Sequence, residues 1–290
     1  MNRLDGMART MPLPLKRTLK AAASPLDRLY VAAWQRRHGD GQPLPPLSLR
    51  SRVGAGLSIP FYVSTGKDVS LKIEGAFRDA GRPLGPEQAV LDWGCGAGRV
   101  AAPLGRLQPE MQLHGCDVDA EAIEWARRNL PAIDFRINSF EPPLPYGDNS
   151  FDAVYSISIL THLTREMQHR WLKELHRVLR PGGLALLTTC GPTFLKTMQS
   201  RDVATNSARF MLRLREARLS DEGFAFVPYV RSRWNERDFS GIGAEYGLAF
   251  QTAAQVRAEW APMFEVDHVR PGFINHGQDL VIASRQAEAT

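Results

Sequence analysis

The chain has 290 residues, 43% of them hydrophobic, and a formal net charge of +5 at neutral pH. That suffices for one large domain with appendages or two small ones, and no apolar run is long enough to cross a bilayer. Three cysteines, an odd number without metal-ligand spacing, provide neither a disulfide framework nor a zinc site.

In chain order, residues 1–45 read as a basic extension. Residues 1–38 hold Arg3, Arg9, Lys16, Arg17, Lys20, Arg28, Arg36 and Arg37 against two acids. Pro14 to Arg37 fits an amphipathic helix with Leu26, Leu29, Tyr30, Ala33 and Trp34 on one side. Its expected place is against the folded domain, with peripheral membrane contact as the alternative. The first residues are basic but lack the apolar core and cleavage site of a signal peptide, which predicts a cytoplasmic protein. Gln42 to Leu47 reads as an extended, proline-rich linker. A helix is expected over Asp68 to Ala80, and the folded domain over residues 46–290.

The run Val90-Leu91-Asp92-Trp93-Gly94-Cys95-Gly96-Ala97-Gly98-Arg99 reads as a strand, a tight turn and a helix start. Glycines permit the reversal and let a ligand touch the backbone, and amides at the helix start face what binds there. Gln112 to Cys116 reads as a second strand, ending in Asp117 about 20 residues past the loop, where a ribose diol is commonly held. A crossover helix over Ala120 to Leu130, a third strand at Phe135 to Ile137 and a fourth at Phe151 to Ile157 follow. Apolar residues from Met167 to Leu179 recur at helical spacing over Arg165 to Arg180. Pro181-Gly182-Gly183 is expected to stop that helix before a buried strand, Leu184 to Thr189. Strand and helix alternate, which implies a parallel sheet with right-handed crossovers. Residues 191–250 form an insertion expected at the carboxyl ends of the strands, where it can act as a lid. Thr193 to Leu219 is mostly helix-forming there, and Phe224 to Val227 and Tyr246 to Phe250 are strand-like.

Four motifs in this order resemble the class I S-adenosylmethionine-dependent methyltransferases. They are Val90 to Gly98, Gly115-Cys116-Asp117-Val118-Asp119, Leu144 to Asp152, and Leu175 to Gly183. The resemblance covers about a third of the chain. Phe264 to Arg285 fits the family's closing hairpin. It implies an α/β, Rossmann-like seven-stranded sheet, mostly parallel with an antiparallel closing strand, and helices on both faces. It implies S-adenosyl-L-methionine as cofactor. By that resemblance Asp92 holds the ammonium end, and Gly94, Cys95, Gly96 and Gly98 form the cofactor loop. Asp117 accepts from the ribose, and Val118 packs on adenine. The family often places an acid after the third strand to read the adenine amine. Ser139 stands nearest that place here, with Phe140 beside it and Glu141 as the closest carboxylate. Tyr62 and Gly66 are expected to border the site. Ser156 is expected to contact the cofactor.

His162, in the loop after the fourth strand, is the candidate catalytic base, since imidazole titrates near neutrality. The alternative is a structural histidine bonded to a backbone group at the start of the following helix. A rival on a similar fold is a nicotinamide or flavin enzyme, because Gly96-Ala97-Gly98-Arg99-Val100-Ala101 satisfies the dinucleotide pattern. Asp92 at the strand end and the Pro181-Gly182-Gly183 turn count against it. The expected activity is transfer of a methyl group to a small-molecule acceptor, anionic or saccharide-like, by in-line displacement. Nucleic-acid or protein methylation and a non-catalytic cofactor scaffold stand as alternatives. The basic stretches Arg209 to Arg218 and Arg231 to Arg237 motivate the nucleic-acid reading. The absence of a recognition motif and of an Asn/Asp-Pro-Pro-aromatic segment after the fourth strand disfavours it.

Overall fold

A computed structural model describes residues 13–39, 41–53, 58–200, 208–229, 246–274 and 277–286. Seven strands form one sheet in the order β3-β2-β1-β4-β5-β9-β8. They are β1 (Ala89–Trp93), β2 (Gln112–Asp117), β3 (Asp134–Ile137), β4 (Phe151–Ser156), β5 (Leu179–Thr189), β8 (Glu265–Ile274) and β9 (Gln278–Ser284). β1 to β5 run parallel, and β9 pairs antiparallel with both β5 and β8. The expected fold class is the observed one. The chain leaves β1 on one side through β2 and β3, then returns to its other side at β4. That reversal opens a crevice at the carboxyl ends of the strands.

Alternation along the strands divides the core between two faces. Val90, Leu113, Phe135, Ala153 and Leu186 meet helices α3 (Ile59–Asp79), α4 (Ala101–Leu107) and α5 (Ala120–Asn129) on one face. Leu91, Trp93, Cys116, Val154 and Leu187 meet α6 (Arg165–Val178) and α9 (Ala253–Trp260) on the other. Thr164 caps α6, its hydroxyl accepting from the Met167 amide.

Two elements differ from the sequence expectation. Helix α3 starts at Ile59, well before Asp68, because Ser58 caps it and Pro60 lies in its first turn. Phe61 to Lys67 are therefore helical. Helix α6 ends at Val178, and Leu179 already pairs with Phe151 at the start of β5. Pro181-Gly182-Gly183 does not stop the helix. It forms an irregularity inside the strand, with Gly182 at φ +76° and the register moving on to Ala153 opposite Leu184.

Before the sheet, α1 (Leu13–His38) meets α2 (Leu47–Arg50) through a buried ion pair, Asp27 to Arg50 at 2.5 Å. Val31 and Trp34 pack against Leu44, Ile59 and Tyr62. Residues 191–251 contribute α7 (Pro192–Gln199), α8 (Ala208–Glu216) and an antiparallel pair, β6 (Phe224–Pro228) with β7 (Gly247–Gln251). They enclose a third apolar cluster around Phe210, Leu214 and Phe250, with Phe194 and Tyr229 packed on it. Trp234, Arg231, Arg233, Arg237 and His276 lie outside the described residues. Among the described residues no helix is long and apolar enough to cross a membrane.

Candidate active site

A cavity of about 460 Å³ occupies the crevice. β1 delivers Asp92 to its wall, and the loop after it bends through Gly94 and Gly96, both at positive φ. The loop is anchored from below, since the Gly94 and Cys95 amides both donate to the Cys116 carbonyl, at 2.8 and 3.0 Å. A Cβ on Gly96 would meet nothing within 4 Å, so its backbone faces open space. A Cβ on Gly94 would lie 2.4 Å from the Ile159 side chain, so glycine there lets the loop after β4 close over the loop after β1.

Asp117 at the end of β2 is held by the glycine loop itself. Its Oδ2 accepts from the Gly96 amide and its Oδ1 from the Asp119 amide, each at 2.8 Å. Burial raises its pKa, which those amide bonds oppose. Asp119 caps α5 and is bridged with Glu121 by Arg52. Val118 beside it is a half-exposed apolar side chain on the wall.

Asp92 is buried, and its carboxylate accepts from the Tyr155 hydroxyl at 2.9 Å. Burial is the main cause of a pKa pushed up to about 7, against which the Tyr155 bond acts. Arg99 also lines the cavity and donates to the Thr65 hydroxyl at 3.0 Å. Gly66 lets α3 approach this loop, since a Cβ there would sit 2.5 Å from the Arg99 carbonyl oxygen.

His162 lies in a 3₁₀ turn after β4 and also lines the cavity. Its Nδ1 is 2.9 Å from the Gly247 carbonyl oxygen and 3.1 Å from the Tyr229 hydroxyl. A carbonyl oxygen can only accept, so Nδ1 carries the proton and Nε2 keeps its lone pair. Burial lowers the imidazole pKa, and the Gly247 bond partly opposes this. The expected structural alternative, a bond to a backbone group, is thus also present, but its partner lies on β7. Ile159, Leu163, Trp171 and Tyr246 also line the cavity.

Of the sequence candidates, Asp92, Gly94, Cys95, Gly96, Asp117, Val118, Phe140 and His162 share this one cavity. Gly98, Ser139 and Ser156 are not on its wall. A Cβ on Gly98 would meet Leu130 at 2.7 Å, so that glycine serves packing beneath the loop. Ser139 is exposed, and its neighbour Asn138 lines the cavity instead. Ser156 is buried with an unpartnered hydroxyl, and Ile157 to Ile159 form the wall after it. Glu141 pairs with Arg170 at 2.7 Å, and neither is among the cavity's residues. Tyr62 is buried in the small N-terminal cluster, and neither it nor Gly66 borders the cavity. The sequence reading gave no role to Asn138, Arg52, Val53, Trp93 or Trp171. Asn138 directly follows β3, one residue from the Ser139 position the sequence favoured, while Arg52 and Val53 reach the rim by a tertiary path no local pattern signals.

Residues 90–183 match a family model described as a methyltransferase domain. An O-methyltransferase of Penicillium expansum is 30% identical over 144 residues, covering 47% of this chain and 51% of that protein. A tRNA N(3)-methylcytidine methyltransferase of Drosophila melanogaster is 32% identical over 124 residues, covering 38% of each chain. The chain spans about half, or less, of the length of these two relatives. Among solved structures, an S-adenosylmethionine-dependent methyltransferase of Methanosarcina mazei shares the fold, with a TM-score of 0.50 at 21% identity. That match covers 71% of this chain and 95% of that one. Residues 90–183 therefore carry a match to a methyltransferase domain, and the sheet around them has the fold of the Methanosarcina structure.

Proposed function

We propose that this chain is an S-adenosylmethionine-dependent methyltransferase acting on a small-molecule acceptor. The observation that carries the reading is convergence: Asp92, the Gly96 backbone, Asp117 and His162 border one crevice at the sheet's switch point. When bound, the cofactor supplies a methyl carbon already activated by sulfonium charge, so the protein's contribution is positioning.

The residues present fit that group. Asp117 uses one lone pair of each oxygen on the backbone and keeps the other for ribose hydroxyls. Asp92 would face the ammonium, whose charge favours the ionised carboxylate that burial otherwise opposes. Val118 and Phe140 offer apolar surface to the adenine. Asn138 donates its amide N–H to the Ser139 carbonyl at 2.7 Å, which leaves its buried, unpartnered Oδ1 to accept from the adenine amine. This assigns to Asn138 the role first expected of Ser139. His162, neutral at pH 7, would take the proton of an acceptor hydroxyl or amine through Nε2.

Ile159, Leu163 and Tyr246, which line the cavity with His162, would offer the acceptor apolar and aromatic walls suited to a ring-bearing molecule, a saccharide included. Residues 191–250 act as its lid, a reading supported by the contact of β7 with His162. Three free, buried cysteines support a cytoplasmic location. A second reading, a tRNA acceptor, draws on the Drosophila relative's name and on exposed Arg209, Arg213 and Arg215 of α8. Salt-dependent binding of tRNA by the full chain would favour it.

The test of the main reading is ligand linkage. S-adenosylhomocysteine is expected to raise the melting temperature and NADH to leave it unchanged. Labelled cofactor with fractionated small molecules should then yield a methylated product. No stabilisation by S-adenosylhomocysteine at millimolar concentration would sink the proposal.

A further inference from the structure

The large apolar side chains left exposed by the fold are concentrated near one end of the chain. Of ten among the described residues, Leu26, Leu29, Tyr30, Val53 and Phe61 fall between residues 26 and 61. Leu26 and Leu29 are 70% and 68% exposed on α1, and Tyr30 is 45% exposed. They are three and four residues apart, so they share a helix face with Ala33. The other face is docked: Asp27 is buried against Arg50, and Val31 and Trp34 pack on Leu44, Ile59 and Tyr62. The helix is therefore fixed to the domain with its apolar stripe turned outward, in a position opposite to one that would hide it.

Charge decides what covers that stripe. Arg28, Arg36, Arg37 and His38 are exposed on the same helix. Its one acidic residue, Asp27, is neutralised by the buried Arg50. In sequence, Lys16, Arg17 and Lys20 add to the excess upstream. An apolar face of leucines and a tyrosine flanked by cations with no free acid is complementary to an anionic lipid surface, where the ring and the leucines enter the interface and the arginines meet headgroups. A second copy of this chain would bring the same cations against each other. We propose that α1 docks this protein on anionic membranes, with the stripe Leu26-Leu29-Tyr30 inserted at the interface. The docked module is continuous with the crevice, since Arg52 and Val53, just past α2, line the cavity rim.

The test is co-sedimentation of the full chain with vesicles of phosphatidylcholine alone or with 30% phosphatidylglycerol (a composition of ~30% anionic lipid probes the charge dependence). Binding is expected to the anionic vesicles, weakening as salt rises. Leu26→Glu with Leu29→Glu should reduce it at least tenfold, and Arg36→Glu with Arg37→Glu should do the same. Both variants should keep the thermal midpoint of the parent, since none of these side chains is buried. Equal partitioning of parent and variants, or no binding to anionic vesicles, overturns the proposal. So does a dimer of the parent in light scattering that Leu26→Glu with Leu29→Glu converts to monomer.

Discussion

At the scale of single residues, two polar groups that line the cavity, Asp117 and His162, make separable predictions. Asp117 anchors the glycine loop through Gly96 as well as facing the cavity, so its removal takes away a ligand contact and frees two amides. Asp117→Ala is expected to weaken S-adenosylhomocysteine binding by ~10- to 100-fold, the effect of ~1.4–2.8 kcal/mol, while the protein still melts cooperatively. Isothermal titration reads this directly, and unchanged affinity would remove the ribose assignment. His162 differs in kind, because its Nδ1 is committed to Gly247 and only its Nε2 is free to act. His162→Ala should leave cofactor affinity within about twofold and lower turnover by ~10²- to 10⁴-fold, the usual reach of a general base. Burial lowers the pKa of this imidazole, so the base limb of kcat in the parent should level off by neutral pH, with activity falling only on the acid side. Full turnover in the variant would leave His162 a purely structural link between the 3₁₀ turn and β7. Asp92, Asp117 and the glycines were legible in sequence because a strand end and a tight turn are local features. Asn138 was not chosen over Ser139 because one residue of register at a strand end decides which side chain meets the cavity.

At the scale of elements, the sheet and its crossovers were legible because apolar runs and their spacing encode burial on both faces. The missed boundaries have physical causes. Pro181-Gly182-Gly183 reads as a stop, yet β5 continues through it, because Arg180 pairs with Asp152 at 2.5 Å and the Gly182 amide donates to the Arg285 carbonyl at 2.9 Å. Those partners are remote in sequence. The same holds for α1, whose docking depends on Asp27 and Arg50, two charges that look solvated until the fold buries them. Arg50 donates to Asp27 and to the Pro45 carbonyl at 2.7 Å, and the Leu47 amide donates to Asp27 at 3.0 Å. Removing one partner of such a pair leaves the other charge buried and uncompensated, at a cost of ~3–5 kcal/mol. Asp27→Ala should therefore destabilise more than the double variant Asp27→Ala with Arg50→Met. Protease should then cut first between residues 39 and 47 in the single variant. Denaturant midpoints for the parent and the two variants check the order, and equal midpoints would show that the pair does not hold α1 in place.

Across the whole molecule, the arrangement that makes the crevice competent is also a source of instability, and pH separates the two. A carboxyl whose pKa is raised on folding binds a proton in the native state that the unfolded chain has already lost. Stability from that group is greatest at low pH and falls as pH rises through the interval. For Asp92 the interval runs from 3.8 to about 7, and burial raises Asp117 and Asp279 in the same direction. His162 and His176, lowered by burial, act oppositely, since their unfolded forms take up protons below about pH 6.5 and stability is lost there. The wild-type profile is the sum of these opposing slopes, so the informative quantity is a difference that isolates one group. Asp92→Asn keeps an acceptor for the Tyr155 hydroxyl and removes the titration. Its stability relative to the parent should increase from pH 5 to pH 8 by on the order of 2–3 kcal/mol, two pH units of a linkage worth ~1.4 kcal/mol each. The parent's affinity for a cationic amino-acid moiety should rise over the same range, because the carboxylate is the form that pairs with it, and the variant's should not. Melting curves of both proteins from pH 5 to 8, with and without S-adenosylhomocysteine, test both halves. A pH-independent difference between them would show that Asp92 is already ionised in the free protein, and that burial there is offset by a partner other than the ligand.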